Sequence, residues 1–501
     1  DELLETLPAE DNVPVWDVEG CIAEKSNSLT DRALDRAWKT LLLNQFHDII
    51  PGSSIHWVYE DCKTDYANVE EAALAVREAG LDVLAQRVNT QGVVEPVVVF
   101  NSLAQERNEV VELPSGELGY VTAPQCGYSV ISDTGEKLPA EVKAVSVTEE
   151  GGTITLTNDL MKLEIDAKGL ITGLLDLEND REVLLDDQCA NLFQLHKDYP
   201  NRWNAWDVDF FYKETVENLT EGATVTVVQE SELRAVVHVT RRFGKDGGSK
   251  IEQDIIMNAG SRRVDFVTEV DWQERDRLLK VAFPVDVKSY RASYEIQYGH
   301  VERSTHDNTS WDVAKFEVPA HKWADLSESD YGVALLNNCK YAYDIDGSVM
   351  RLTLLKAGNA PDPEADRGVH HFTYSIFPHS GSLQEGKVIE EAYALNVPLV
   401  CHSTDEHEGE LGQERSFFSV DKPGVYIESV KKAEKTDDTI MRIYEGHQSR
   451  GSVNIGVNQH QNTSVAEVNM MEKNPVDTEM LDGKVKLQMT PFEIKTLRFR
   501  K

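Results

Sequence analysis

The sequence has few cysteines and no closely spaced pair of them. Only six occur in 501 residues, and no Cys-x-x-Cys spacing is present. Dense disulfide frameworks belong to small secreted domains, and short cysteine spacings mark metal or redox sites. The cysteine usage therefore predicts reduced thiols and a cytoplasmic location. The six are Cys21, Cys62, Cys126, Cys189, Cys339 and Cys401.

Long apolar runs are also missing. No stretch approaches the roughly 20 apolar residues that a membrane-spanning helix needs, and no secretory leader pattern is visible. We therefore expect no membrane partner. Without a secretory context, the sequons at Asn218, Asn308 and Asn462 carry little weight.

Positive charge is scarce. Lys and Arg total 50 against 87 Asp and Glu, which gives a net charge of −37. Such a surface repels phosphate backbones and anionic lipids. The balance argues against nucleic-acid partners and fits a neutral substrate such as a sugar, while homo-oligomerisation is left open.

Residues 30 to 90 have the spacing of two helices. Thr30 is the predicted N-cap of the first helix, whose apolar stripe includes Leu34, Trp38, Leu41 and Leu42. A second stripe follows Gly52, and the short turn predicts an antiparallel hairpin with both stripes in the core. The second stripe comprises Ile55, Val58, Tyr59, Cys62, Tyr66, Val69, Ala73 and Val76.

From Val93 onward the pattern changes to short strands separated by Gly, Asn and Asp turns. Many strands without intervening helices predict stacked antiparallel sheets. The fold class is therefore mainly β, with a helical hairpin followed by large antiparallel β-sandwich domains. The length suggests two to four domains, and the predicted boundaries give a helical domain at 1–92, a small β domain at 93–150, a large β-sandwich at 151–385 and a C-terminal β domain at 386–501.

The stretch LLLNQFHDIIPGSSI places His47 and Asp48 at the end of the first helix, before the Pro51-Gly52 turn. Ser53 and Ser54 are predicted to cap the second helix. An imidazole beside a carboxylate suits a divalent transition metal. A zinc site needs three or four converging ligands, however, so the pair taken alone also fits a hydrogen-bonded helix end.

This stretch resembles the signature of the zinc-dependent alpha-mannosidases of glycoside hydrolase family 38, in the bacterial and cytosolic-type branch. The resemblance continues through three longer segments and the Phe100-Asn101 pair, so that it covers most of the chain after about residue 30. The segments run from Asn201 to Tyr212, from Tyr298 to Asp344 and from Arg351 to His379.

The resemblance implies a retaining glycosidase that cleaves terminal alpha-mannosides and has a β-supersandwich in its C-terminal half. It implies that His47 is a zinc ligand and that Asp48 holds mannose hydroxyls. Retaining glycosidases need two carboxyl groups about 5–5.5 Å apart. In the family the nucleophilic Asp and an Asp-x-His zinc pair lie on an N-terminal domain, and we expect both to be absent from this chain, which would then supply one zinc ligand and no nucleophile.

Two further segments of the resemblance are candidates for contact with substrate. Trp206 and Asp207, beside Trp203, combine aromatic faces with carboxylates, which suits sugars, although Trp is also common in β cores. In the acidic loop 361–368, Asp366 and Arg367 are candidates that could instead pair with each other. A literal Asp-x-His, Asp405 to His407, is interpreted as part of a solvated acidic loop.

A different class of function remains open from the sequence. A non-catalytic carbohydrate-binding or scaffold β protein would also lack the catalytic carboxylates. The zinc-ligand motif favours the enzyme, because a binding module has no need of it.

Overall fold

A computed structural model describes residues 27–134, 138–458 and 464–500. Two long helices come first, and nearly all later elements are strands. Every ladder between named strands in the described residues is antiparallel. The prediction of a helical hairpin followed by antiparallel β-sandwiches is thus confirmed. Cys21 and the sequon at Asn462 lie outside the described residues.

The N-terminal helices pack as the predicted hairpin through small side chains. Ala33 and Ala37 meet Ala72, while Val69 and Val76 border the contact. The described helices are α1 (Asn27–Leu43), α2 (His56–Ala85), α3 (Ser310–Val313) and α4 (Val388–Asn396), with 3₁₀ turns at Phe210–Thr215 and Lys245–Gly247.

The predicted apolar core of the hairpin is wrong for most of α1. Trp38 is 61% exposed, Leu42 is also exposed, and Leu34 and Leu41 are half-buried. In the second stripe, Cys62 is buried but Ile55, Tyr66 and Ala73 are exposed. The close contact of alanines leaves the larger side chains outside it, because two helices that touch through small residues present their bulky residues to the flanks.

Both predicted helix caps are also wrong. The first helix begins at Asn27, so Thr30 lies inside it. The N-cap of α2 is Ile55, which makes no side-chain cap. Ser53 and Ser54 instead donate to the backbone oxygen of Asp48, at 3.4 and 2.8 Å. They therefore stabilise the turn and do not cap the helix.

A small β unit follows the hairpin. One four-stranded sheet has the order β25-β1-β4-β26, and a two-stranded sheet pairs β2 with β3. Two strands of the larger sheet come from the chain beyond residue 399, so this sheet draws on two of the predicted domains, whose boundaries stay predictions. The strands are β1 (Pro96–Asn101), β2 (Arg107–Glu112), β3 (Leu118–Ala123), β4 (Gly127–Ser132), β25 (Val400–Ser403) and β26 (Glu414–Ser416).

The largest core lies among three sheets of five, six and nine strands. The alternating burial along Ser249–Asn258 illustrates the cause, since every second side chain of this strand points into the core. The five-stranded sheet is β5 (Ser146–Glu150), β6 (Thr153–Thr157), β7 (Met161–Ile165), β8 (Ile171–Asp176) and β9 (Arg181–Glu182). In sheet order, the six-stranded sheet is β11 (Glu217–Asn218), β10 (Leu192–Lys197), β16 (Arg277–Pro284), β23 (Val349–Lys356), β22 (Ala342–Asp346) and β19 (Val318–Pro319). The nine-stranded sheet is β12 (Ala223–Glu230), β13 (Arg234–Phe243), β14 (Ser249–Asn258), β15 (Val264–Trp272), β24 (Gly368–Ser380), β21 (Tyr331–Asn337), β20 (Trp323–Ser327), β17 (Arg291–Ile296) and β18 (Gly299–Ser304).

The last unit is a smaller sandwich with its own apolar core. Its four-stranded sheet is β27 (Phe418–Val420), β30 (Gly451–Val457), β34 (Lys484–Met489) and β33 (Met480–Leu481). Its five-stranded sheet is β28 (Val425–Lys432), β29 (Thr439–Glu445), β35 (Ile494–Arg500), β31 (Ser464–Val468) and β32 (Val476–Thr478). Within the described part of the chain, no helix has the length and apolar character needed to cross a bilayer.

Candidate active site at the hairpin turn

His47 and Asp48 lie in the turn that follows α1. The His47 side chain is 71% exposed, and its Nε2 lies 3.6 Å from Asp48 Oδ2. Its ring also contacts Phe46, with the ring centroids 4.3 Å apart. The imidazole is therefore open to a ligand.

Asp48 is fixed by the turn around it. Ser53 Oγ donates to Asp48 Oδ1 at 3.2 Å, and Ser54 Oγ donates to the Asp48 backbone oxygen at 2.8 Å. The backbone N–H of Ser54 donates to the Tyr59 hydroxyl at 2.7 Å. Burial raises the pKa of Tyr59, so the phenol stays protonated. One side-chain oxygen of Asp48 is thus held internally, and the carboxylate remains half-exposed.

One contact joins the hairpin to a loop more than 300 residues later. His56 Nδ1, at the first position of α2, lies 3.2 Å from Asp362 Oδ2. Asp362 is 3% exposed, and its other oxygen accepts the backbone N–H of Glu364. The hairpin turn and loop 357–367, which contains nearly all of the acidic segment 361–368, are therefore neighbours.

A second loop, 200–209, adjoins the acidic loop. Asn204 Oδ1 accepts the backbone N–H of Asn359, and Asn204 Nδ2 donates to Asp276 Oδ1 at 3.4 Å. Asn359 Nδ2 donates to the same oxygen at 2.7 Å. The three segments singled out in the sequence thus form a continuous run of neighbours, although they are distant along the chain.

The two tryptophans of loop 200–209 are on the surface. Trp206 is 54% exposed and Trp203 is 69% exposed. Asp207 is also exposed, and its backbone N–H donates to the Trp203 oxygen. The alternative that these tryptophans belong to a β core is therefore wrong, and exposed indole faces next to carboxylates remain available to a sugar.

Within the acidic loop, Asp366 and Arg367 do not pair with each other. Arg367 donates to Glu364 Oε2 at 2.6 Å and to Gln273 Oε1 at 3.3 Å. Asp366 is exposed, and its backbone oxygen lies 2.6 Å from His370 Nε2. Although the residue keeps an exposed surface, the loop packed around its carboxyl group desolvates it and raises the pKa of Asp366, against the opposing charge of His370. The two residues share a loop but make separate contacts.

A buried ion network lies behind loop 200–209, and nothing in the sequence indicated it. Lys280 of β16 is fully buried and pairs with Glu317, and it also donates to the Tyr212 hydroxyl at 3.0 Å. Tyr212 donates to Glu317 at 2.7 Å. Burial lowers the pKa of Lys280 to about 7. Because Lys280 lies within an apolar strand, its partners can be recognised only in three dimensions.

The described residues do not by themselves complete a metal site. No group of three or more His, Cys, Asp and Glu side chains in the described ranges is arranged to hold an ion. His402, close in sequence to the Asp405–His407 pair, lies 2.9 Å from Asp82 and 3.7 Å from Glu78. The exposed imidazole of His47 beside the Asp48 carboxylate fits part of a zinc ligand set, since both donor types bind zinc.

Three family profiles match the sequence. Residues 156–364 match the glycosyl hydrolases family 38 C-terminal domain, and residues 6–84 match the alpha mannosidase middle domain. Residues 424–497 match the glycosyl hydrolases family 38 C-terminal beta sandwich domain. The three matches follow the chain order of the hairpin, the large sandwich and the small sandwich.

Individual relatives agree with these profiles. Alpha-mannosidase 2C1 of Homo sapiens is 36% identical over 480 residues, which is 93% of this chain and 45% of the relative. Alpha-mannosidase of Saccharomyces cerevisiae is 30% identical over 93% of this chain and 43% of its own length. This chain therefore spans less than half of these curated relatives.

A solved structure shares the fold. The crystal structure of an alpha-mannosidase from Enterococcus faecalis V583 superposes with a TM-score of 0.77 at 17% identity, over 97% of this chain and 65% of that one. The profiles, the relatives and the fold agree that this chain belongs to glycosyl hydrolase family 38, whose middle and C-terminal domains it carries.

Proposed function

We propose that these residues form part of the active site of a cytoplasmic, zinc-dependent, retaining alpha-mannosidase that hydrolyses terminal alpha-mannosides. The contact between His56 and Asp362 carries the proposal, because it brings the His47-Asp48 turn beside the loop of Asp366 and Arg367. The nucleophile and the remaining zinc ligands would come from the part of the relatives' length that this chain does not match.

Each residue has a defined task in this proposal. His47 would hold zinc through its exposed imidazole, and zinc when bound would polarise sugar hydroxyls as a Lewis acid. Asp48 accepts hydrogen bonds from the sugar with the oxygen that Ser53 leaves free. Trp206 and Asp207 offer an apolar face and a carboxylate at the rim, and Arg367 is kept in place by Glu364.

The decisive experiment removes the imidazole in an intact protein that carries these residues. We expect His47→Ala to lose zinc and alpha-mannosidase activity together, because loss of one ligand weakens a zinc site severely. Metal analysis and rates are measured on the same sample, with the exposed His371 changed to Ala as the matched control.

Retained zinc with normal rates in His47→Ala would assign His47 to the hydrogen-bonded helix end. A protein that binds mannosides but has no hydrolytic activity even when intact would support the alternative, a non-catalytic carbohydrate-binding or scaffold protein.

A further inference from the structure

A cleft lies where three units of the fold meet, away from the hairpin turn and its two loops. It has a volume of about 510 Å³ and shares no lining residue with those loops. Its walls are the start of β2, the exposed face of α4, and the segment that enters β28. Pockets at such junctions, within a range of about 300–1,000 Å³, are where small ligands commonly bind.

Two oppositely charged side chains at this cleft each have a buried atom without a hydrogen-bond partner. These atoms are Arg107 Nε and Glu390 Oε2. The Glu390 carboxyl also interacts with the Tyr426 hydroxyl, which lines the same cleft. The terminal nitrogens of Arg107 are used elsewhere, by the backbone oxygens of Val397 and Ala394 and by Glu109 at 2.5 Å. A buried polar atom without a partner is unfavourable, so the side chains of Arg107 and Glu390 mark this wall of the cleft as incompletely satisfied.

The Glu390 carboxylate can present either oxygen to the cleft. Glu390 is half-buried and lies in the first turn of α4, where the helix holds its backbone. Rotation about the last torsion of a Glu side chain is soft. Rotation of the carboxylate plane exchanges its two oxygens, so Glu390 keeps one oxygen toward the cleft without any change in the fold.

The charges of the cleft favour a neutral ligand. Its lining includes five carboxylates and three cationic side chains. An anion would meet the carboxylates, and a bare metal ion would meet the cations and find no described cluster of three ligands. Ala394, Val420 and Pro423 add apolar surface between these polar groups. A polyol, which donates and accepts hydrogen bonds and has apolar C–H faces, matches this combination.

We propose that this cleft is a second carbohydrate-binding site, which holds one or two neutral sugar units between α4 and the small sandwich. Hydroxyl groups of the sugar donate to the Glu390 carboxylate, while Arg107 holds the wall of the cleft in place through the backbone oxygens of Val397 and Ala394. The site binds without hydrolysis and does not depend on zinc or on His47.

The test measures binding of methyl α-mannoside and an α-linked mannobiose to the chain by calorimetry, with inorganic phosphate as a third probe. Hydrogen–deuterium exchange then locates the sugar. We expect millimolar affinity and protection of residues 387–394 and 420–426. Two variants should each raise Kd at least about tenfold: Ala394→Leu fills the cleft, and Glu390→Ala removes the acceptor. Glu150→Gln, on exposed β5, is the control.

Two further results separate this site from the hairpin site. Trp206→Ala should leave the protection at α4 unchanged. The proposal is overturned if both cleft variants melt like the parent and bind the sugar with unchanged affinity, or if protection is confined to loops 200–209 and 357–367. It is also overturned if no sugar binds at about 50 mM probe, or if phosphate binds in place of the sugar.

Discussion

The carboxylate of Asp48 is fixed on one side and open on the other. Ser53 uses one oxygen, and Ser54 holds the backbone of the same residue. A carboxylate that is oriented before the sugar arrives loses little freedom on binding, so its hydrogen bond contributes more to affinity.

Asp48→Asn in an intact protein should keep the fold and most of the zinc but lower catalytic efficiency about tenfold to a hundredfold. Asn preserves the shape but removes the charge, and a charge-assisted hydrogen bond contributes roughly 1.5–3 kcal/mol. Kinetics at several mannoside concentrations measure the effect, with thermal melting as the control. Unchanged efficiency, or a collapse of the melting temperature, would make Asp48 a structural residue of the turn.

His196 should make the protein sensitive to acid. It is buried beside Tyr212, and burial lowers its pKa from about 6.5 to about 4. Between these pH values the unfolded chain binds a proton that the folded protein does not, so stability is lost as pH falls from 6.5 to 4. The contribution is about 3 kcal/mol, since one pKa unit corresponds to about 1.4 kcal/mol.

His196→Asn removes this titration and keeps a donor for the Tyr212 oxygen. Denaturation measured at pH 6.5 and pH 4 should show a smaller loss of stability than in the parent, by about the same 3 kcal/mol. His371→Asn, at an exposed histidine, is the control and should change nothing. An identical loss in parent and His196→Asn would show that other groups dominate.

Single residues differed in how well the sequence revealed them. The residues around His47 and Asp48 are unusual enough to identify the family. The alternative that Asp366 and Arg367 pair with each other is wrong, because Glu364 accepts from the Arg367 guanidinium. Lys280 gave no signal, since a lysine inside an apolar strand can be explained only by partners from other strands.

At the scale of elements, periodicity located the hairpin but not its contact face. Spacing identifies a stripe on a helix, but the partner that covers the stripe is not encoded in that helix alone. Ala33 and Ala37 form the contact, and Trp38 and Leu42 stay outside. The antiparallel sheets were predictable because period-two burial repeats in many strands, as in β14.

The contact between α2 and the acidic loop should control the order of both segments. His56→Ala leaves one oxygen of the buried Asp362 without its partner. We expect faster deuterium uptake in residues 44–56 and 359–367 and a loss of roughly 1–3 kcal/mol in stability.

Glu60→Gln provides the control for this contact. Glu60 is the other acidic neighbour of His56, at 3.7 Å, and it is exposed. The variant should exchange like the parent. If His56→Ala exchanges like Glu60→Gln in both segments, the contact with Asp362 does not couple the hairpin to the loop.

At the scale of the whole molecule, the described residues bring the candidate substrate-binding groups together without a described set of three metal ligands. We therefore expect the purified chain alone to show no measurable hydrolysis of an aryl alpha-mannoside, even with added zinc. A heat-treated sample sets the background. Turnover well above it would mean that a carboxylate pair within these residues performs the reaction.

The sheet β25-β1-β4-β26 has a consequence for folding during synthesis on the ribosome. Strands β1 and β4 are translated about 300 residues before the partners that cover their outer edges. At a synthesis rate of about 5–20 residues per second, the outer edges of β1 and β4 stay unpaired for roughly 15–60 seconds. Unpaired edges are templates for association with other chains, so this sheet is where crowding among polysomes or scarcity of chaperones would first reduce the yield of folded protein.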